Sequence, residues 1–277
     1  MKLGRGTLTG GAAGLLKLAA AGLDLVGRRR NGGVVLLYHR VGGGSGLKVD
    51  LPPALFAAQV DELGADGRVV SLDSLLTLVA RPDGPSVQPV ALTFDDGTAD
   101  FAEHAMPVLA RVGVPVTLYV ATDFVERGRP FPAGGTPLSW GALADLLSTG
   151  LLTVGSHTHT HALLDRLPPG EIADELDRSV KLIEDRLGVT PDHFAYPKAL
   201  AGSPAAEKAV RLRFRSAALA GTRANRYGST DPYRLHRSPV QASDGMRWFR
   251  HKARGGMALE DDVRRLVNRR RYAGAVT

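Results

Sequence analysis

The chain reads as an α/β protein built on a closed or nearly closed (β/α) barrel. Three observations carry that expectation. Apolar runs of strand length alternate with segments of helical apolar spacing, the order that parallel strands with crossover helices require. The 277 residues suit one large α/β domain better than two full ones. Clusters of reactive polar residues fall directly after the apolar runs, where barrels and open α/β sheets alike place their chemistry. With this many strand–helix units in one domain, closure is favoured over an open doubly wound sheet.

Taken in order, residues 1–30 form a basic leader with helical apolar spacing at Leu15, Leu16, Leu18, Leu23, Leu25 and Val26. Lys17 and Asp24 interrupt it, so it is too polar to span a bilayer and makes a poor signal peptide. Backed by Arg28–Arg30, it suits an amphipathic helix at a membrane interface; a helix docked on the domain fits equally. This favours a cytoplasmic or membrane-peripheral protein. Residues 31–245 carry the alternating pattern and are expected to form the main domain. Strands are expected at Val34–Tyr38, Val90–Phe94, Val114–Val120, Leu151–Gly155, Phe194–Tyr196 and Ser216–Leu219. Helices are expected at Pro52–Ala65, Asp100–Arg111, Gly141–Ser148, Glu171–Leu187 and Ser203–Arg213. The Gly- and Pro-rich stretch Thr122–Ser139 reads as a long loop able to act as a lid. Residues 246–277 are a basic, partly helical tail.

Composition narrows the function. With 44% hydrophobic and 23% charged residues the chain is ordinary globular material. It has no cysteine, which excludes disulfides, thiolate metal sites, iron–sulfur clusters and cysteine nucleophiles. The net charge of +7 is concentrated at the ends: residues 1–30 carry +5, residues 245–277 carry +6, and the stretch between carries −4. A nucleic-acid-binding fold would carry its basic face on the body and interleave aromatics with the charge, so nucleic acid is not an expected partner. Basic ends on an acidic body suit contact with an anionic membrane. Gly4, Gly6 and Gly10 fail the dinucleotide fingerprint, since their spacing is wrong and no strand precedes them.

Two constellations carry chemistry. Thr93-Phe94-Asp95-Asp96-Gly97 closes an apolar run with adjacent carboxylates, costly at a buried strand exit unless a cation neutralises one of them. Taken alone, Asp96-Gly97 reads more readily as a turn capping the next helix. Ser156-His157-Thr158-His159-Thr160-His161 follows another apolar run and gathers three of the eight histidines. His157 and His161 share a face in either helix or strand, while His159 shares it only in an extended segment. Two imidazoles and a carboxylate with open positions make a catalytic metal set, so Asp96, His157 and His161 are the candidate ligands. His39, at the exit of the first strong strand, and Phe194-Ala195-Tyr196-Pro197-Lys198, at another, lie on the same rim.

Together these residues resemble the polysaccharide deacetylase family, the NodB-homology or carbohydrate esterase family 4 group. Thr93–Gly97 matches its TFDDG motif, and His157, Thr158 and His161 match its H-[S/T]-x-x-H motif. Leu37-Tyr38-His39 and Phe194-Ala195-Tyr196-Pro197 resemble the circularly permuted subgroup that includes poly-N-acetylglucosamine deacetylases. The similarity extends roughly from Val34 to Val240. It implies a distorted NodB-type (β/α) barrel and hydrolysis of an N-acetyl group on a sugar or polysaccharide. The implied roles are Asp95 as general base, Asp96, His157 and His161 as ligands of a divalent metal (zinc, with cobalt or nickel as alternatives), and His39 as general acid. Tyr196, Pro197 and Trp140 become candidate substrate contacts. Two departures stand out. Ala195 occupies the place of the family arginine that orients the base, and Lys198 that of a tyrosine. The missing arginine motivates a second expectation, a catalytically degenerate saccharide-binding or scaffolding protein. An iron-dependent oxygenase using the same three ligands is a remoter one.

Overall fold

Seven parallel strands follow one another around a barrel in chain order. The computed structural model describes residues 17–20, 31–132 and 134–263. Its barrel strands are β1 (Gly32–Tyr38), β2 (Val90–Phe94), β3 (Val116–Val120), β4 (Leu152–Ser156), β5 (His193–Ala195), β6 (Ser216–Ala220) and β7 (Leu235–Pro239). β7 pairs with β1 through Val35↔Arg237, Leu36↔Ser238 and Leu37↔Pro239, which closes the ring. The ring is uneven: β3 and β4 run in register from Val116↔Leu152 to Val120↔Ser156, whereas β4 and β5 meet at Ser156↔Phe194.

Strand alternation sorts side chains into two cores. Val34, Leu36, Tyr38, Leu92, Phe94, Leu118 and Val154 face outward and pack under the helices. Val35, Ala91, Tyr119, Ala195, Ala218 and Leu235 face inward. Because both faces are covered, a strand such as Gly32–Tyr38 is buried along its whole length and reads as a continuous apolar run.

The outer layer comprises α1 (Pro53–Ala65), α2 (Leu72–Val79), a π turn at Phe101–Ala105 leading into α3 (Met106–Val112), α4 (Thr122–Arg127), α5 (Trp140–Leu147), α6 (Pro169–Leu187), α7 (Pro204–Arg213) and α8 (Gly245–Lys252). Ser71, Ser139 and Ser203 cap α2, α5 and α7 by accepting a backbone N–H two residues into the first turn. No described helix is long and apolar enough to cross a membrane.

The elements differ from the sequence expectation at four places. α2 was not expected; its apolar face, Leu75 and Val79, lies against Gly33 at the start of β1 and plugs the N-terminal mouth of the barrel. β7 was not expected because Arg237 breaks its apolar run. The stretch Thr122–Ser139, expected as loop, begins with α4. The boundary expected at 245/246 falls at the start of α8, which buries Phe249 in the main core. Of the leader, residues 17–20 are helical and the rest lies outside the described residues. Lys17 Nζ reaches Asp244 at 2.6 Å, and Lys252 Nζ reaches the other oxygen of the same carboxylate at 2.7 Å. Ala20 packs with Met257, Trp248 and Leu259. This part of the leader is thus docked on the domain.

Candidate active site

The exits of β1, β2 and β4 supply the reactive groups. After β2 the chain turns at once, with Asp96 at φ 79° and Gly97 at φ 93°. Aspartate tolerates this left-handed region, and at Gly97 the positive φ itself favours a residue without a side chain. The turn is held by Asp95 N–H donating to Tyr38 O, Ala121 N–H to Asp96 O, and Leu138 N–H to Gly97 O. Asp100 ties in the neighbouring exit, accepting Val41 N–H at 2.8 Å and pairing with Arg40. That link fixes the His39-Arg40-Val41 segment beside the two carboxylates.

After β4, residues 157–161 are neither helical nor extended, with Thr158 and His161 at φ 65° and 64°. Glu175, on α6, pins the segment by accepting His159 N–H at 3.0 Å, Thr160 N–H at 2.9 Å and the Thr160 hydroxyl at 2.8 Å. His157 Nδ1 lies 2.7 Å from the carbonyl oxygen of Ala195. A carbonyl only accepts, so the proton sits on Nδ1 and the Nε2 lone pair is free. Nε2 of His157 and Nε2 of His161 lie 3.6 and 3.5 Å from Asp96 Oδ1. His159 turns away, its Nδ1 3.0 Å from Thr122 Oγ1 and its Nε2 3.6 Å from Asp123.

Asp96, His157 and His161 fit a divalent cation. Their ligand atoms lie within 4.8 Å of one another. Separations of 3.5 to 3.6 Å leave room for an ion about 2.1 Å from each. The bond to Ala195 O is the outer support that a ligating histidine needs. Burial, with repulsion from His157, drives the His161 imidazole down to about 3, so it is neutral and able to ligate at any working pH. Burial would raise Asp96, but the surrounding histidines hold it below the usual carboxylate range.

Asp95 has a different partner. Arg237, fully buried on β7, grips both its oxygens at 2.5 and 2.8 Å. The guanidinium also donates to Thr93 Oγ1 and Leu219 O, and it lies over the Tyr119 ring at 5.2 Å. Burial alone would raise the Asp95 pKa, yet Arg237, aided by His157, holds it at about 2. Arg237 was absent from the sequence expectation, as were the supports Glu175 and Asp100. His39 is recessed beside the carboxylates; its burial pushes the pKa below the ordinary 6.5 against their pull, so the resting imidazole is neutral.

Tyr196 shares the outward face of β5 with Phe194, two residues earlier, and both pack under α6 and α7 with ring centroids 5.0 Å apart. Pro197 is buried and starts the tight turn Pro197–Ala199. Trp140 opens α5, and its indole N–H donates to Glu126 at 2.8 Å beside Arg186, in the helical layer.

Residues 83–217 match the family profile described as polysaccharide deacetylase. That stretch, just under half of the chain, is similar to the polysaccharide deacetylase family. The chain is 26% identical over 164 residues to YxkH of Bacillus subtilis, which is described as a polysaccharide deacetylase; the match spans 59% of this chain and 55% of YxkH, so the chain spans little more than half the length of that relative. Among solved structures, IcaB from Ammonifex degensii matches with a TM-score of 0.69 and 27% identity, covering 81% of this chain and 98% of that one. The Streptococcus pyogenes deacetylase PplD, solved with acetate, matches with a TM-score of 0.71 and 19% identity over 81% and 99% of the two chains, a likeness of fold. The family match omits His39 and Arg237, which flank it in sequence. β1 and β7 are nevertheless paired neighbours in the barrel, so the fold returns both residues to the site.

Proposed function

We propose that the chain is a metal-dependent N-deacetylase of an N-acetylated saccharide, releasing acetate and an amino sugar. The observation that carries this reading is the convergence of a two-histidine, one-carboxylate set with a second carboxylate, Asp95, clamped by Arg237. A divalent ion, with zinc the leading choice and cobalt or nickel as alternatives, would polarise the acetamide carbonyl and lower the pKa of water when held by Asp96, His157 and His161. Asp95 stays ionised throughout the working pH range and takes the proton of the attacking water. Arg237 fixes both oxygens of Asp95 and keeps the carboxylate from rotating out of line. His39 stands to protonate the departing nitrogen. Since burial keeps it neutral at rest, the proton it delivers is one gained during turnover.

The reading as a non-catalytic saccharide-binding or scaffolding protein rests on the lack of an arginine at position 195. Arg237 meets the same electrostatic need from β7, and nothing else favours that alternative. The test is acetate release from N-acetylglucosamine oligomers with bound metal measured in parallel. The wild type should hold about one ion per chain and release acetate. His157→Ala should lose the ion, and Asp95→Asn should keep it while losing most turnover. Full metal occupancy without acetate from any N-acetyl sugar would sink the reading. Contact of the basic ends with an anionic membrane is a further proposal, tested by salt-sensitive co-sedimentation with anionic vesicles.

A further inference from the structure

The third histidine of the 157–161 cluster has no task in the proposed chemistry. His159 points away from Asp96, yet it is buried and held by the start of α4. Its Nδ1 lies 3.0 Å from Thr122 Oγ1 and its Nε2 3.6 Å from the Asp123 carboxylate. The backbone of the same two residues grips the segment as well. Thr122 N–H donates to Thr158 O at 3.3 Å, and Asp123 N–H donates to His159 O at 2.9 Å. Thr122 and Asp123 are themselves buried, so water cannot stand in for these contacts. With both ring nitrogens engaged, His159 is not a spare ligand. It anchors the stretch midway between two candidate ligands, His157 and His161.

The anchorage continues round to the other half of the site. Asp123 also pairs with Arg127 and Arg129. Arg129 leads into the stretch that returns to the Asp96 turn, where Ala99 N–H donates to Thr136 O at 2.8 Å and Leu138 N–H to Gly97 O at 2.9 Å. Phe131 of that stretch stacks on Phe124 of α4, with ring centroids 4.3 Å apart. Immediately before α4, Ala121 N–H donates to Asp96 O at 3.1 Å. One short helix thus ties the turn that carries Asp96 to the segment that carries His157 and His161. We propose that His159 is a positioning residue of the metal site, whose contacts with Thr122 and Asp123 hold residues 157–161 where a divalent ion fits against Asp96. This rests on the metal-dependent reading of the site. It also supplies what the backbone on either side of His159 requires. Thr158 and His161, at φ 65° and 64°, adopt conformations that persist only where the surroundings over-determine them.

Zinc affinity tests it, measured by competition with a chelator at a temperature where every variant is folded. The visible absorption of the cobalt-loaded protein, which follows ligand geometry, is recorded beside it. His159→Phe keeps the ring volume and loses both polar contacts. It should weaken zinc binding about ten- to a hundredfold and alter the cobalt spectrum. His159→Asn can still meet Thr122 Oγ1 through its side-chain amide and should recover part of the loss, while Thr122→Val should reproduce part of it. His251→Phe, on α8, should bind zinc as the wild type does. A loss of stability alone would move neither readout in the folded protein. Unchanged zinc affinity and an unchanged cobalt spectrum in His159→Phe overturn the proposal and leave the deacetylase reading in place. A wild type that binds neither ion overturns it together with the metal site. Weakened zinc binding in His159→Phe, beside a wild type that holds zinc but releases no acetate, upholds the anchor and refutes the deacetylase reading.

Discussion

Replacing Arg237 by methionine keeps much of the side-chain volume and removes the charge that grips Asp95. The cost can be worked from the pair. Arg237 is fully buried and Asp95 is 3% exposed, so solvent cannot stand in for the lost partner. Asp95 sits at about 2 with Arg237 in place, against an ordinary 3.8, and burial alone would carry it higher still. Returning it merely to the ordinary value is worth about 2 kcal/mol, and stranding a buried charge typically costs about 3–5 kcal/mol. The variant should therefore unfold at clearly lower urea, with an unchanged slope. In turnover, a carboxylate freed to rotate by an ångström loses about a hundredfold. The acid limb of kcat/KM should also move to higher pH, because a raised Asp95 pKa means that the base is protonated sooner as pH falls. A merely structural residue would not move that limb.

Two further variants sharpen the test. Arg237→Lys keeps a positive charge without the two-pronged grip, so it should restore part of the stability and bring the limb part-way back. In the double variant with Asp95→Asn, the two losses should be strongly non-additive, since each removes the same interaction. Turnover within twofold of wild type in Arg237→Met, with the acid limb unmoved, would refute the assignment of Arg237 as the positioning residue of the base.

Other variants probe the supports. Glu175→Ala should weaken metal binding by about ten- to a hundredfold, seen by competition with a chelator, because the His159–Thr160 backbone loses its anchor. Asp244→Asn should cost about 3–5 kcal/mol by removing the carboxylate that Lys17 and Lys252 share and leaving Lys252 only Glu260, 3.9 Å away, while Lys17→Met should cost far less because Lys252 still neutralises Asp244. Burial would raise Asp244, but those lysines hold it below the ordinary carboxylate value. Its contribution is therefore complete above about pH 4 and fades as pH falls through the lowered native value, so thermal melts should decline in acid with a shallower slope in Asp244→Asn. Gly155→Ala should destabilise by about 1–3 kcal/mol, since a Cβ there would meet the Tyr119 ring at 2.6 Å and the His193 carbonyl at 2.8 Å; a melt equal to wild type would show that Tyr119 can yield.

The parts legible in the sequence are those whose residues lie close along the chain. Thr93–Gly97 and His157–His161 each bring their reactive groups within five residues, and each follows an apolar run, so both strand and site announce themselves. Six of the seven strands are legible because burial on both faces makes them near-continuous apolar runs. β7 is not, since its inward position holds Arg237 and its end holds Pro239, so its pattern resembles a polar turn. The pairing of Arg237 with Asp95 spans 142 residues and leaves no local trace. Tyr196 shows the same limit: Ala195 faces inward, so strand alternation turns the tyrosine beside it outward.

The alanine at 195 shows why a missing motif residue is weaker ground than it looks. What the base requires is a buried positive charge within reach of both carboxylate oxygens. A closed barrel has one shared interior, and any inward position on a nearby strand can supply that charge. Here Ala195, Ala218 and Gly155 keep the interior open, and the space goes to Arg237 and the Tyr119 ring beneath it. Ala195 contributes through its backbone instead, its carbonyl fixing the tautomer of His157. The strand that lacks the arginine thus orients a metal-site histidine, and the strand that closes the barrel orients the base. A charge can move between strands without loss so long as the carboxylate it serves stays fixed, and the turn at Asp96-Gly97 provides that constancy.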